Sequence, residues 1–200
     1  MIDKAFRFLE GEVNAYFDSR FEPATEKWIV MGNIAKLGDN DANSNSSSSD
    51  AGSRAMFGLV NIEEDRIAKN PDPVVRTNAG IFYQNPRIFL NLYVLFVATH
   101  SNYATSLLTI STIIQFFQGT RAFDISTHPS LDAGIERLTV DLYTLNFEQV
   151  NHLWGILGGK YQPSVMYKLK VIGIEDSANR IEGSLIREII IDDGLMPQKR

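Results

Sequence analysis

Residues 83–100 read YQNPRIFLNLYVLFVATH, and between Ile88 and Ala98 only Asn91 interrupts an apolar run. Read with the two-residue period of a strand, Ile88, Leu90, Leu92, Val94 and Phe96 fall on one face. Phe89, Tyr93, Leu95 and Val97 fall on the other, so both faces are apolar and the strand must be covered on both sides. A membrane helix needs about 20 apolar residues in succession, about twice what is present, and the β-branched and aromatic content also favours a strand. Asn85-Pro86 marks its entry, because a proline cannot donate to a ladder. The rest of the chain has to supply two covering layers.

Those layers are visible as helical spacing on either side of the central run. Ile2, Phe6, Leu9, Val13 and Phe17 recur at helical intervals, with Asp3 placed where an acid suits the positive end of the dipole, and predict a helix over 3–20. Tyr103, Leu107, Ile110, Ile114 and Phe117 fall on one face and predict a second helix over 102–118, with Ser101 as N-cap and Gly119 as stop. Asn146 and Gln149 have the spacing of a capping box and open a short helix from Phe147 to Leu157, which Gly158-Gly159 ends.

Strand patterns fill the intervals. KWIVMG (27–32), 55–66, 135–145 and 164–174 all alternate or run apolar, with Leu138, Val140 and Leu142 forming the dry face of the third. Residues 39–53, DNDANSNSSSSDAGS, hold nothing larger than alanine on the apolar side and read as a flexible loop, most simply the tip of a hairpin joining 27–32 to 55–66. Residues 67–86, with Pro71, Pro73, Gly80 and Pro86, read as a long irregular connection. The class is α+β: a mixed, largely antiparallel sheet of about four to six strands with an N-terminal helix and two further helices packed against it. Residues 1–175 form one domain in this reading. Residues 176–200 form a C-terminal extension with a strand-like segment, LIREIIID at 185–192, suited to pairing with a sheet edge.

Composition narrows the function. A net charge of -5 and the absence of any Lys or Arg run argue against nucleic acid as a partner. With no cysteine there is no disulfide framework, thiolate metal site or thiol nucleophile. The N-terminal stretch carries acids where a secretion signal needs an apolar core, so the expectation is a chain made and folded in a cytoplasm, with no membrane span. His100, His128 and His152 stand far apart and in no metal-ligand spacing. Glu63-Glu64-Asp65 reads as a charged strand end, and Gly158-Gly159-Lys160 follows a helix where a phosphate loop precedes one. No catalytic constellation and no cofactor site is expected. What remains is a protein that binds copies of itself and other proteins.

The blocks MIDKAFRFLEGEVNAYF, GLVNIEEDR, YQNPRIFLNLYVLFVATHSNY and IERLTVDLYTLNFEQVNHLWGILGGKYQPSVMYKLKVIGI, in this order over residues 1–175, resemble the tail-terminator, or cap, proteins of phage-tail-like contractile injection systems. NHLWGILGGKYQPSVMYKLK is the most distinctive of them. The resemblance implies a structural protein without enzymatic activity, assembled in the bacterial cytoplasm into a hexameric ring. Such a ring ends and stabilises the inner tube and sheath of a particle that is released or stays anchored. The Ser-rich stretch at 39–53 departs from the pattern. Partner contacts are expected at Trp154, Lys160 and Tyr161, in the turn after the short helix, and at Leu185, Ile186, Ile189, Ile190 and Ile191 of the C-terminal segment. Trp154 serves equally as a core residue of its helix. Another ring-forming tail-completion or baseplate adaptor protein is the alternative, with a small soluble enzyme a distant third.

Overall fold

The computed structural model describes residues 1–22, 26–37, 55–65, 74–77, 80–83, 88–132, 134–174 and 181–183. They fall in two compact units, 1–69 with 88–174 and 70–87 with 175–200. The first holds three helices, α1 (Ile2–Arg20), α2 (Tyr103–Gly119) and α3 (Phe147–Ile156), and a 3-10 turn at Ile34–Lys36. Its strands are β1 (Ile29–Met31), β2 (Ala55–Glu64), β5 (Ile88–Ala98), β6 (Ala122–Asp124), β7 (Arg137–Tyr143) and β8 (Ser164–Ile174). The second unit contains β3 (Val74–Thr77), β4 (Gly80–Tyr83) and β9 (Ile181–Gly183), paired antiparallel in the order β3-β4-β9. The α+β class and the mixed, largely antiparallel sheet are as the sequence predicts.

The six strands of the large sheet run in the order β1-β2-β5-β8-β7-β6, so the apolar stretch that opened the sequence reading lies between two long strands. Its two faces are buried by different partners, as the period-2 pattern requires. Leu92, Val94, Phe96 and Ala98 enter one cluster with Phe6, Leu9, Val13 and Phe17 of α1 and Ile113, Phe116 and Phe117 of α2. Leu95 and Val97 enter a second cluster with Ile34, Met166 and Trp154 of α3. Phe96 is fully buried at the centre of the first: its ring stacks 5.1 Å from Phe57 and meets Phe117 and Tyr167 edge-on at 5.5 and 5.8 Å. Aromatic pairs in such offset or edge-on arrangements add about 0.5–1.5 kcal/mol each beyond the area they bury.

Two expectations are corrected here. The segments 29–31 and 55–64 pair in parallel, Ile29 opposite Ala55, so 32–54 is a crossover and no hairpin joins them. A long polar insertion between two strands satisfies either geometry, and the two-residue period carries no strand direction. Residues 67–86, read as irregular, contain β3 and β4. The predicted loop at 39–53 and the strand-like segment at 185–192 lie outside the described residues.

The edge of the sheet at β1 is closed by side chains of α1. The Asn14 amide donates to the Ile29 carbonyl at 2.9 Å and its Oδ1 accepts from the Ile29 N–H at 3.1 Å, so one side chain does the work of a missing strand. Glu10 accepts from the Met31 N–H at 3.1 Å and pairs with Lys27 at 2.9 Å. An edge capped in this way offers a second chain no template for strand pairing. Behind it, Gly58 lets the chain after β1 pass, because a Cβ there would lie 2.5 Å from the Gly32 carbonyl oxygen. Replacing Asn14 by Leu strands both backbone groups of Ile29 against a part-buried edge. The expected loss is about 1–3 kcal/mol per unsatisfied group, read from the midpoint of chemical denaturation; an unchanged midpoint would show that the edge is satisfied some other way.

Candidate partner-binding surface

The short helix α3 is built by local chemistry. The Asn146 side chain accepts from the Gln149 N–H at 2.8 Å while the Gln149 side chain accepts from the Asn146 N–H at 3.0 Å, the reciprocal box the sequence predicts. Gly158, at φ 67°, supplies the left-handed residue that ends the helix, where a side chain would be strained. One face of α3 covers the sheet: Trp154 is 6% exposed and packs with Leu95, Val97 and Met166, flanked by Val150, Leu153 and Leu157. The Trp154 ring meets Tyr161 edge-on at 6.0 Å, and a Cβ at Gly159 would meet its benzo edge at 3.4 Å. Its indole N–H is buried without a hydrogen-bond partner among the described residues.

Two large apolar side chains of α3 stand in the open, on opposite sides of the helix. Phe147 is 96% exposed and Ile156 84%, with Tyr161 and Leu142 also largely uncovered. Phe147, Trp154 and Tyr161 line an open cleft of about 950 Å³ with Leu145, Asn146, Val150, Asn151, Gly155 and Gly159, none of them charged. A smaller cavity of about 210 Å³ lies beside it, bounded by Leu95, Tyr143, Trp154 and Met166. Of the sequence-predicted contact residues, Trp154 is buried as a core residue that also walls the cleft, Tyr161 stands at its mouth, and Lys160 is exposed next to it. Leu185, Ile186, Ile189, Ile190 and Ile191 lie outside the described residues. The sequence reading missed Phe147 and Ile156. Ile156 lies about a third of a turn from the stripe that Val150, Leu153 and Trp154 define, whereas Phe147, three residues before Val150 and seven before Trp154, continues that stripe at the N-terminal end and so carries no sequence sign of its exposure.

The predicted cap and part of the predicted stripe of α2 are corrected. Its N-cap is Asn102, whose side chain accepts from the Ala104 N–H at 2.9 Å, and Ser101 does not serve. The face turned to the core carries Ser106, Thr109 and Thr112 with Ile113, Phe116 and Phe117. The hydroxyls of Thr109 and Thr112 each donate to the carbonyl four residues earlier at 2.9 Å, which satisfies them inside the helix and leaves their methyls to pack. Of the predicted stripe, Phe117 is buried and Ile110 packs against the core, while Tyr103, Leu107 and Ile114 are exposed, as is Leu108 further round the helix.

Titratable groups serve structure. The Tyr93 hydroxyl donates to Glu63 at 2.6 Å, and this bond, with burial adding to it, pushes its pKa up to about 12. The Tyr167 hydroxyl is also pushed up to about 12, by burial in the first cluster. His128 sits edge-on to Phe8 and Phe123, and His100 meets the Thr109 hydroxyl at 3.1 Å. Among the described residues no group of His, Asp or Glu side chains is gathered to hold a metal ion. No helix among them is long and apolar enough to cross a membrane.

Fold and surface define an α+β protein whose described residues expose large apolar side chains around α3. The chain belongs to the Pvc16 N-terminal domain family, whose model matches residues 7–188. No curated protein sequence matches it. Two solved structures share its fold. The sheath/tube terminator of PVC, an extracellular contractile injection system, in its extended state aligns at a TM-score of 0.61 and 13% identity, over 98% of this chain and 64% of that one. The tube-terminating cap of the anti-feeding prophage aligns at 0.62 and 13%, over 96% of this chain and 60% of that one. The chain thus spans less than two-thirds of either relative's length.

Framework and surface roles separate by substitution. Trp154→Ala is expected to cost about 3–5 kcal/mol of stability, as for a buried aromatic, whereas Phe147→Ser should stay within about 0.5 kcal/mol of the parent. Thermal and chemical denaturation of the two variants checks this. Equal losses would mean that Phe147 is packed and that the surface is not open.

Proposed function

We propose that this chain is a structural cap of a contractile injection system, forming a ring, with six copies the expected number, that ends and stabilises the inner tube and sheath. The observation that carries the reading is the family match over 7–188, joined to two solved terminators of the same fold. Physical logic supports it. A tube grows by stacking identical rings, so its terminator must bind the last ring on one side and present no equivalent surface on the other. That task needs no cofactor and no catalysis, only side-to-side contacts that close a ring and a docking face.

In this reading residues 1–175 form the terminator-like domain, and 176–200 form an extension that shares a sheet with 74–83 through β9. The segment 185–192 connects to sheath by strand pairing, and the turn carrying Trp154, Lys160 and Tyr161 faces a neighbour. Assembly takes place in the bacterial cytoplasm before the particle is released or anchored. A ring-forming adaptor at the baseplate end is the second reading, and position on the particle separates the two.

Particles assembled with a gold-tagged chain, either entire or lacking residues 184–200, decide both points. The entire chain is expected at the end away from the baseplate, and the shortened one is expected to lose its place there. Label at the baseplate end would favour the adaptor. Undiminished label on the shortened chain would remove the connector role.

A further inference from the structure

We propose that the cavity of about 210 Å³ between α3 and the sheet is a binding site for a small neutral molecule with an apolar body and one hydrogen-bond acceptor, held by the indole N–H of Trp154. The site does not rest on the ring-forming reading. Trp154 is 6% exposed, and its indole nitrogen is buried with no hydrogen-bond partner among the described residues. A buried donor left unmet is costly and native structures keep few of them, so the one that remains here calls for an acceptor from outside the chain. The other tryptophan shows the ordinary solution: the Trp28 indole donates to Asp18 at 3.1 Å.

Covalent geometry says which way the Trp154 donor faces. In an indole the N–H stands on the ring edge opposite Cε3 and Cζ3, and these are the two atoms that a Cβ at Gly159 would meet at 3.4 Å. The donor is therefore turned away from Gly159, which lines the larger open cleft and not the smaller cavity. Around the smaller cavity Trp154 is joined by Leu95 and Met166 of the sheet and by Val150 and Leu153 of α3, with hydroxyls from Thr144 and Ser164. No charged residue is among its walls, so an ionic ligand would lose its hydration and gain no counter-charge. An apolar cavity of ~150 Å³ takes up benzene, so this one has room for a ring that carries a small polar substituent. It is too small for a strand or helix of another chain.

With only two tryptophans in the chain, each indole N–H gives its own signal in heteronuclear NMR, and Trp28 serves as the internal control. The isotope-labelled chain is titrated at a fixed low concentration with acetophenone, which has a ring and an acceptor, and in parallel with ethylbenzene, which has the ring alone. Acetophenone is expected to move the Trp154 indole signal downfield in a saturable manner and to leave the Trp28 signal in place. It is expected to bind about 2- to 12-fold more tightly than ethylbenzene, the worth of one hydrogen bond. Trp154→Phe keeps a ring in the wall and removes the donor, so the two probes are expected to bind it equally, followed by the backbone signals of Leu95 and Met166. If that variant fails to fold, the preference of the parent chain between the two probes decides alone. A Trp154 signal that does not move, equal affinity of the parent for both probes, or an indole N–H held by a water that acetophenone fails to displace would each overturn the proposal. A Trp154 signal that moves with protein concentration alone would also overturn it, since a neighbouring copy would then fill the cavity.

Discussion

Burying Phe96 from one side and Leu95 with Val97 from the other is the constraint on which the remaining structure depends. A strand apolar on both faces cannot stand at an edge or against water, so β2 and β8 must flank it and helices must cover both sides. On the first side the answer is generous: α1 and α2 bring Phe6, Phe17, Phe116 and Phe117, and the Phe57, Phe96 and Tyr167 rings lock the strands to them. On the second side the cover is smaller. A 3-10 turn at Ile34 and the short helix α3, anchored by Trp154, close over Leu95 and Val97. A short helix with one large anchor buries a small footprint and leaves its other residues to the outside, and Phe147 and Ile156 are there in full view.

Much of this was legible because it is written in local patterns. The stretch at 83–100 announces a two-faced strand, the spacing in 2–17 gives α1, and Asn146 with Gln149 gives the start of α3 to the residue. The failures share one physical cause, which is that periodicity reports chemistry and not direction or layer. Nothing in 27–66 distinguishes a parallel crossover from a hairpin, because alternation is the same in both. On α2, Tyr103, Leu107 and Ile114 are exposed while Ser106, Thr109 and Thr112 are buried, the reverse of what side-chain polarity suggests. The hydrogen bonds of Thr109 and Thr112 to preceding carbonyls, invisible in sequence, make the polar stripe fit for the core. At the candidate site, Tyr161 and the Trp154 turn could be picked out from sequence, but Phe147 could not be ranked above other phenylalanines without knowing which side of α3 faces the sheet.

Several polar groups serve the fold: Tyr93 holds Glu63, His128 lies among aromatic rings, and Asn14 with Glu10 closes a sheet edge. The exposed apolar residues have no comparable role within the described unit. At 13% identity the two solved terminators share the fold while most aligned residues differ, which fits a scaffold set by the burial of one strand.

The most direct measurement is the length distribution of tubes and sheaths assembled in cells with and without this chain, scored by electron microscopy. The account predicts that its loss gives abnormally long or unstable tails with a broad spread of lengths, restored to a single length when the chain is supplied. Particles of normal length and stability formed in its absence would contradict it.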